Sequence, residues 1–175
     1  YAFGEINNKV INDEFDATII EAAFHDSQED ARLLRDPMVR DSIARCSYQA
    51  IVRYMNEYDA APLQFLPEPP QNVRAIGSPE AVSVAWDPPA DAAPNAVASY
   101  VVYRSTDGYG FGSPVTVAAS QTRLMLPGLP RGQDLYFRVT AVNAGGESLP
   151  STVAGCSPAK GRSAPHVLVV NGFTQ

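Results

Sequence analysis

The chain has 175 residues, of which 45% are hydrophobic and 18% charged, with a formal charge of −6. That length suits one ordinary domain or two small ones, and the composition excludes a disordered or collagen-like chain. The acidic balance speaks against a nucleic-acid or anionic-lipid surface, and no apolar run approaches the roughly 18 residues of a membrane span.

Charge and proline are unevenly spread. Residues 1–60 hold twelve acids and six Lys/Arg, so the whole −6 lies there, whereas residues 61–175 hold seven of each. Pro37 stands alone in the first part and the other fourteen prolines follow it. Such a step predicts a helix-tolerant part over 1–60, a proline-rich linker over 61–70, and a turn-rich sheet part over 71–159. The chain opens on Tyr1 with no signal region before it, which reads as a processed or excised piece of a longer protein.

In the first part, residues 16–24 (Asp-Ala-Thr-Ile-Ile-Glu-Ala-Ala-Phe) are short and contain β-branched residues, as a buried strand would be. Glu21 lies in its middle. A carboxylate there must be paired, metal-associated or facing a cleft, unless it sits on a solvated edge. Ser27 followed by Gln28, Glu29 and Asp30 predicts a capped helix start, and Asp36-Pro37 restarts a second helix. Val39, Ile43, Cys46, Ala50, Tyr54 and Tyr58 then run down one side of about twenty residues, with Ile51 and Met55 widening the stripe. A sheet is the natural partner for such a helix.

Glu21-Ala22-Ala23-Phe24, then Leu33-Leu34 and Asp36-Pro37 ahead of a long amphipathic helix, resembles the C-terminal end of a zinc-dependent N-acetylmuramoyl-L-alanine amidase. The likeness is assigned to residues 1–59 and is carried by 15–58. It implies that Glu21 is the catalytic carboxylate, taking a proton from the attacking water and passing it to the leaving amine. It also implies a zinc in the parent enzyme, held by two His and a Glu, and peptidoglycan as the substrate. Only His25 and His166 are present here, without ligand spacing, so no cofactor is expected in this chain and the isolated piece is expected to be inactive. The role of His25 stays open.

The second part reads as short strands between Pro, Gly and Asn/Asp turns, the pattern of an antiparallel sandwich. Val82, Val84 and Trp86 alternate with Ser83 and Ala85, and Tyr100 and Val102 with Val101 and Tyr103. Leu124 and Leu126 flank Met125, and Leu135, Phe137, Val139 and Ala141 alternate with Tyr136, Arg138, Thr140 and Val142. Trp86 before Asp87-Pro88-Pro89, the run from Tyr100 to Arg104, Leu129 ahead of Gly132, and Phe137 to Asn143 followed by Gly145-Gly146 together resemble a fibronectin type III domain over residues 68–159. Leu135 departs from that pattern, since it stands where such domains place the tyrosine of the tyrosine corner, and Tyr136 should face outward.

The expected fold is therefore an α+β fragment, a strand plus long helices from an α/β amidase, joined to an all-β fibronectin type III sandwich. The function it suggests is a fragment of an exported bacterial cell-wall hydrolase with a spacer domain. The alternative is a non-catalytic adhesion or polysaccharide-binding module, in which Tyr103, Tyr109, Phe111 and Tyr136 would stack on sugar rings. Peptidoglycan or another envelope glycan is the partner on either reading; nucleic acid and membrane insertion are not expected. Residues 160–175, with an apolar run at 167–170, read as the first strand of a further domain. The edges at 167–170 and 19–24 could pair with each other or with a second copy. Cys46 and Cys156 lack metal-ligand spacing and read as unpaired small apolar residues.

Overall fold

A computed structural model describes residues 3–12, 14–89 and 96–161. The chain forms two compact units, the first reaching Ala61 and the second beginning at Pro62. The apolar run at 167–170 and His166 lie outside the described residues.

The first unit opens with a 3-10 turn over Gly4–Ile6 and a single helical turn, α1 (Asn8–Ile11). Helix α2 (Gln28–Arg35) starts where Ser27 Oγ accepts a hydrogen bond from the Asp30 N–H, 3.3 Å away. Helix α3 (Pro37–Asp59) follows at once, with Asp36 Oδ1 accepting from the Met38 N–H at 2.9 Å and Pro37 at the first position, where no N–H is needed. Residues 16–24 form no helix or strand and run beside α3, tied to it where the Tyr54 hydroxyl donates to Asp16 Oδ2 at 2.8 Å. The expected buried strand is not found there. Among the described residues this segment pairs with no strand, and Ile19, Ile20 and Phe24 are 44%, 57% and 66% exposed. The reason is geometric: one segment without a strand partner, lying against one helix, covers its side chains on one side only. No residue of α2 or α3 is fully buried.

Helix α3 ends on Ala60, whose φ of 54° is left-handed. An alanine pays about 1 kcal/mol there that glycine does not. Ala60→Gly should therefore stabilise the helix by up to about 1 kcal/mol, read as a higher melting point of the first unit by circular dichroism. A lower melting point would show that this terminus is not held in the left-handed form.

The second unit is a two-sheet sandwich. Strands β1 (Gln71–Gly77), β2 (Ala81–Asp87) and β5 (Arg123–Pro127) form one sheet in the order β1-β2-β5. The other has the order β4-β3-β6-β7, from β3 (Ser99–Ser105), β4 (Gly112–Ala118), β6 (Leu135–Asn143) and β7 (Gly146–Glu147). Strand β8 (Ala154–Cys156) pairs with β6 beyond β7, and all described pairings are antiparallel. Alternation decides what goes inside: Val82, Val84, Trp86, Tyr100, Val102, Leu135, Phe137, Val139 and Ala141 form the buried core. Val101 points outward yet is nearly buried, because β3 is a central strand and Val101 is flanked by Thr116 on β4 and Thr140 on β6.

Two edge strands carry irregularities. On β1 the register slips between Gln71 and Arg74, around Asn72 at φ 49°. On β4 it slips opposite Val102 and Arg104, around Ser113 at φ 49°, with Pro114 next in the chain. Between β7 and β8 the chain leaves regular pairing, and Ser148 and Ser151 fill the gap along β6 (below). Both cysteines are free thiols; Cys156 is packed against the core, and burial pushes its pKa up to about 11.

Candidate functional site

Glu21, the residue the amidase likeness singles out, lies on the irregular segment 16–24 and is exposed. Its neighbours Ile20 and Ala22 line an open apolar groove of about 510 Å³ whose other wall is Met38, Val39, Ile43 and Cys46 of α3. The expectation of a carboxylate enclosed by aliphatic side chains is thus corrected: the aliphatics beside Glu21 are themselves exposed, so desolvation imposes no need for a partner. His25 borders a separate depression with Asp26, Arg32 and Arg35. Among the described residues no three His, Cys, Asp or Glu side chains are grouped so as to hold a metal ion. The described residues do not fit a zinc centre.

Of the four candidate aromatic residues, Tyr103 and Tyr136 lie on the outer face of the β3–β6 sheet, and Tyr109 and Phe111 lie in the loop between β3 and β4. Tyr103 and Arg138 are cross-strand partners. The Arg138 guanidinium carbon lies 4.5 Å from the Phe111 ring centre and 5.5 Å from that of Tyr103, so one cation occupies a face of both rings. The Tyr103 hydroxyl donates to Glu147 Oε1 at 2.7 Å, and Thr140 Oγ1 donates to the same oxygen. That hydrogen bond to Glu147, then desolvation and the carboxylate's charge, raise the Tyr103 pKa. Tyr136 faces outward as alternation requires and is half-buried; its ring carbons lie where a Cβ on Gly108 or Gly155 would come within 3.6 and 3.3 Å. Tyr109 alone of the four stands free, 92% exposed, in a loop whose Tyr109 and Gly110 amides both donate to Asp107 Oδ1.

The fold therefore brings Tyr103 and Phe111 together through Arg138, sets Tyr136 against glycine backbone, and leaves Tyr109 apart. Arg138 and Glu147 were not among the expected site residues. The signal for Arg138 was present in the alternation, since it falls between the core residues Phe137 and Val139 and must share the outer face with Tyr103; Glu147, on the two-residue strand β7, gave none.

At the opposite sheet, Asn72 Nδ2 and Arg74 Nη2 donate to the two Asp87 carboxylate oxygens at 2.9 and 3.1 Å. These bonds, Asn72 first, hold the Asp87 pKa below its ordinary value. A depressed folded pKa contributes stability that is complete above the unfolded value of about 3.9 and is lost as pH falls through the folded one. Asp87→Asn should thus lessen the drop in melting temperature between about pH 6 and pH 3. An equal drop in both proteins would show that these bonds do not favour the ionised form.

No helix among the described residues is long and apolar enough to cross a membrane. Comparison with known proteins bears on the sandwich. Similar solved structures include the twitchin kinase region of C. elegans, at 27% identity and a TM-score of 0.50, covering 62% of this chain and 19% of that one. Domains A168–A170 of titin match at 25% identity and 0.46, covering 54% and 33%. A beta-1,2-glucanase from Parabacteroides distasonis matches at 24% and 0.46, covering 54% and 14%. The chain spans a third or less of each. The family profile described as fibronectin type III domain matches residues 68–155, and nothing in these comparisons shows an amidase segment. By that match, over half its length, the chain belongs to the fibronectin type III domain family.

Proposed function

We propose that the sandwich is a non-catalytic spacer in an exported protein of a bacterial cell envelope. The observation that carries this reading is the occupied aromatic face. Tyr103 and Phe111 already stack on Arg138, and the Tyr103 hydroxyl is bound to Glu147, so the rings best placed for a sugar platform are engaged within the domain. The test is co-sedimentation of the chain with insoluble peptidoglycan and other envelope polysaccharides. A spacer stays in the supernatant. Retention that Tyr103→Ala with Tyr136→Ala, or Tyr109→Ala, abolishes would instead make the sandwich a glycan-binding module.

A second reading concerns the first unit. Its Ser27- and Asp36-capped helices, and a Glu21 segment against α3 with apolar side chains left uncovered, support the C-terminal end of an amidase domain whose sheet would cover them. On this reading Glu21 takes the proton of the attacking water and returns it to the leaving amine during cleavage of the MurNAc–L-Ala bond. Glu21→Gln in the parent protein should then lower muropeptide cleavage by about 10²-fold or more. Undiminished cleavage would remove Glu21 from the mechanism.

A further inference from the structure

Among the described residues the sandwich has one uninterrupted strand edge. Strands β1 and β4 slip in register, and the rim beside β6 is divided between the two residues of β7 and the three of β8. Strand β5 instead pairs with β2 in an unbroken register, from Ala81 opposite Pro127 to Ala85 opposite Arg123. Hydrogen bonds at the two ends of this ladder fix which groups face outward. The Trp86 N–H donates to Thr122 O at 3.1 Å, and the Gly128 N–H donates to Glu80 O at 3.4 Å. Bonded positions recur every second residue in an antiparallel pair, so Thr122, Leu124, Leu126 and Gly128 turn their backbone groups to β2. Arg123, Met125 and Pro127 turn theirs to the open side. There Arg123 and Met125 each offer an N–H and a C=O, and Pro127 offers only a C=O. Among the described residues no acceptor meets either N–H, and Arg123 has no ion-pair partner. All three residues are exposed, Met125 to 55%.

We propose that this edge is a self-association site whose occupant is the β5 edge of a second copy, paired antiparallel about a two-fold axis. The residues along the edge select that occupant, because the edge complements itself in one register. Arg123 opposite Arg123 of the second copy would set like charges face to face. Met125 opposite Met125 would bring the Pro127 ring, which has no N–H, against the Arg123 carbonyl. With Arg123 opposite Met125 of the second copy, and the reverse, both conflicts vanish. Each N–H then meets a C=O, and the aliphatic stem of Arg123 lies beside Met125 on the outer face. The two three-stranded sheets join into one. The ladder is short, so the affinity is low, with a Kd on the order of 1 mM, and the contact counts where copies are crowded together. It does not depend on the spacer reading, which concerns glycan.

The test uses the full chain under reducing conditions, since Cys46 and Cys156 are free thiols. Sedimentation equilibrium reads the association, and amide exchange by NMR reads its place. Between about 0.05 and 2 mM the parent should pass from monomer towards dimer, with exchange at the Arg123 and Met125 amides slowing at least twofold. Amides of β1 and β4 should not change. Met125→Pro removes an N–H that β2 does not use, so the sandwich keeps its ladder while dimer affinity falls at least tenfold. Ile76→Ser removes a 68% exposed side chain two strands away on the same face, and should leave the affinity within about twofold. Trp86 fluorescence verifies folding; if Met125→Pro unfolds the sandwich, amide exchange in the parent decides. A chain that stays monomeric up to about 2 mM overturns the proposal. So does a dimer that a folded Met125→Pro protein still forms. So does a dimer whose Arg123 and Met125 amides exchange as fast as in dilute solution, which would place the contact elsewhere, such as the apolar groove beside α3.

Discussion

Trp86→Ala is expected to cost the sandwich about 3–5 kcal/mol, a large share of the roughly 5–15 kcal/mol that holds a domain of this kind together. Trp86 is 1% exposed and packs edge-on against Tyr100, with ring centres 5.4 Å apart and planes at 64°. Removing it empties the largest fully buried volume of the core and strips Tyr100 of its partner. Trp86→Phe should behave differently. It keeps a ring in the site and removes an indole N–H that has no protein acceptor, so the loss should stay below about 1.5 kcal/mol. Because Trp86 is the sole tryptophan, urea unfolding of both variants has to be followed by circular dichroism. Equal losses for Ala and Phe would show that the indole N–H, and not ring packing, dominates at this position.

The second large effect is expected where apolar packing plays no part. Between β7 and β8, Pro150 interrupts the strand that would otherwise run along β6. Two serines take its place. The Ala141 N–H donates to Ser148 Oγ at 3.0 Å and the Val139 N–H donates to Ser151 Oγ at 2.9 Å. Each hydroxyl in turn donates to a nearby carbonyl, Leu149 O at 2.7 Å and Thr152 O at 2.9 Å. The serine N–H groups donate to the Ala141 and Val139 carbonyls. Both serines are only 7% exposed, so alanine at either leaves a buried amide without an acceptor, at about 1–3 kcal/mol each. The double variant should lose about 2–5 kcal/mol in urea unfolding followed by Trp86 fluorescence, nearly the sum of the singles because each hydroxyl serves a different amide. A double variant within about 0.5 kcal/mol of the parent would mean that water reaches β6 and replaces the hydroxyls.

What was legible in the chain beforehand follows a physical line. The core of β2, β3 and β6 could be read from alternation because each strand has one face buried and one open, and period two reports that directly. The starts of α2 and α3 could be read because Ser27, Asp36 and Pro37 act on backbone groups within three residues of themselves. Residues 16–24 could not be read the same way. Their composition suits a strand, but a strand exists only by virtue of a neighbour, and local sequence does not reveal whether one is present. The aromatic face was half legible. Alternation put Tyr103 and Tyr136 outside, yet it took the cross-strand register to show that Arg138 fills the space between Tyr103 and Phe111. The serine pair was illegible for a related reason: a hydroxyl replacing a strand is a long-range bond, and Ser-Leu-Pro-Ser reads locally as an ordinary loop.

The slipped registers on β1 and β4 reach beyond the single domain. Each puts an extra residue and a left-handed turn of the backbone into an outermost strand, and on β4 a proline removes one donor as well. The rims at β1 and β4 thus lack the flat, evenly spaced row of amides and carbonyls that another strand would need for pairing. Copies crowded on a surface, or strung in tandem, can press these two flanks together without zippering them into a common sheet. Protection from lateral aggregation is thereby built into the backbone itself, with no demand on the charge of the surrounding side chains.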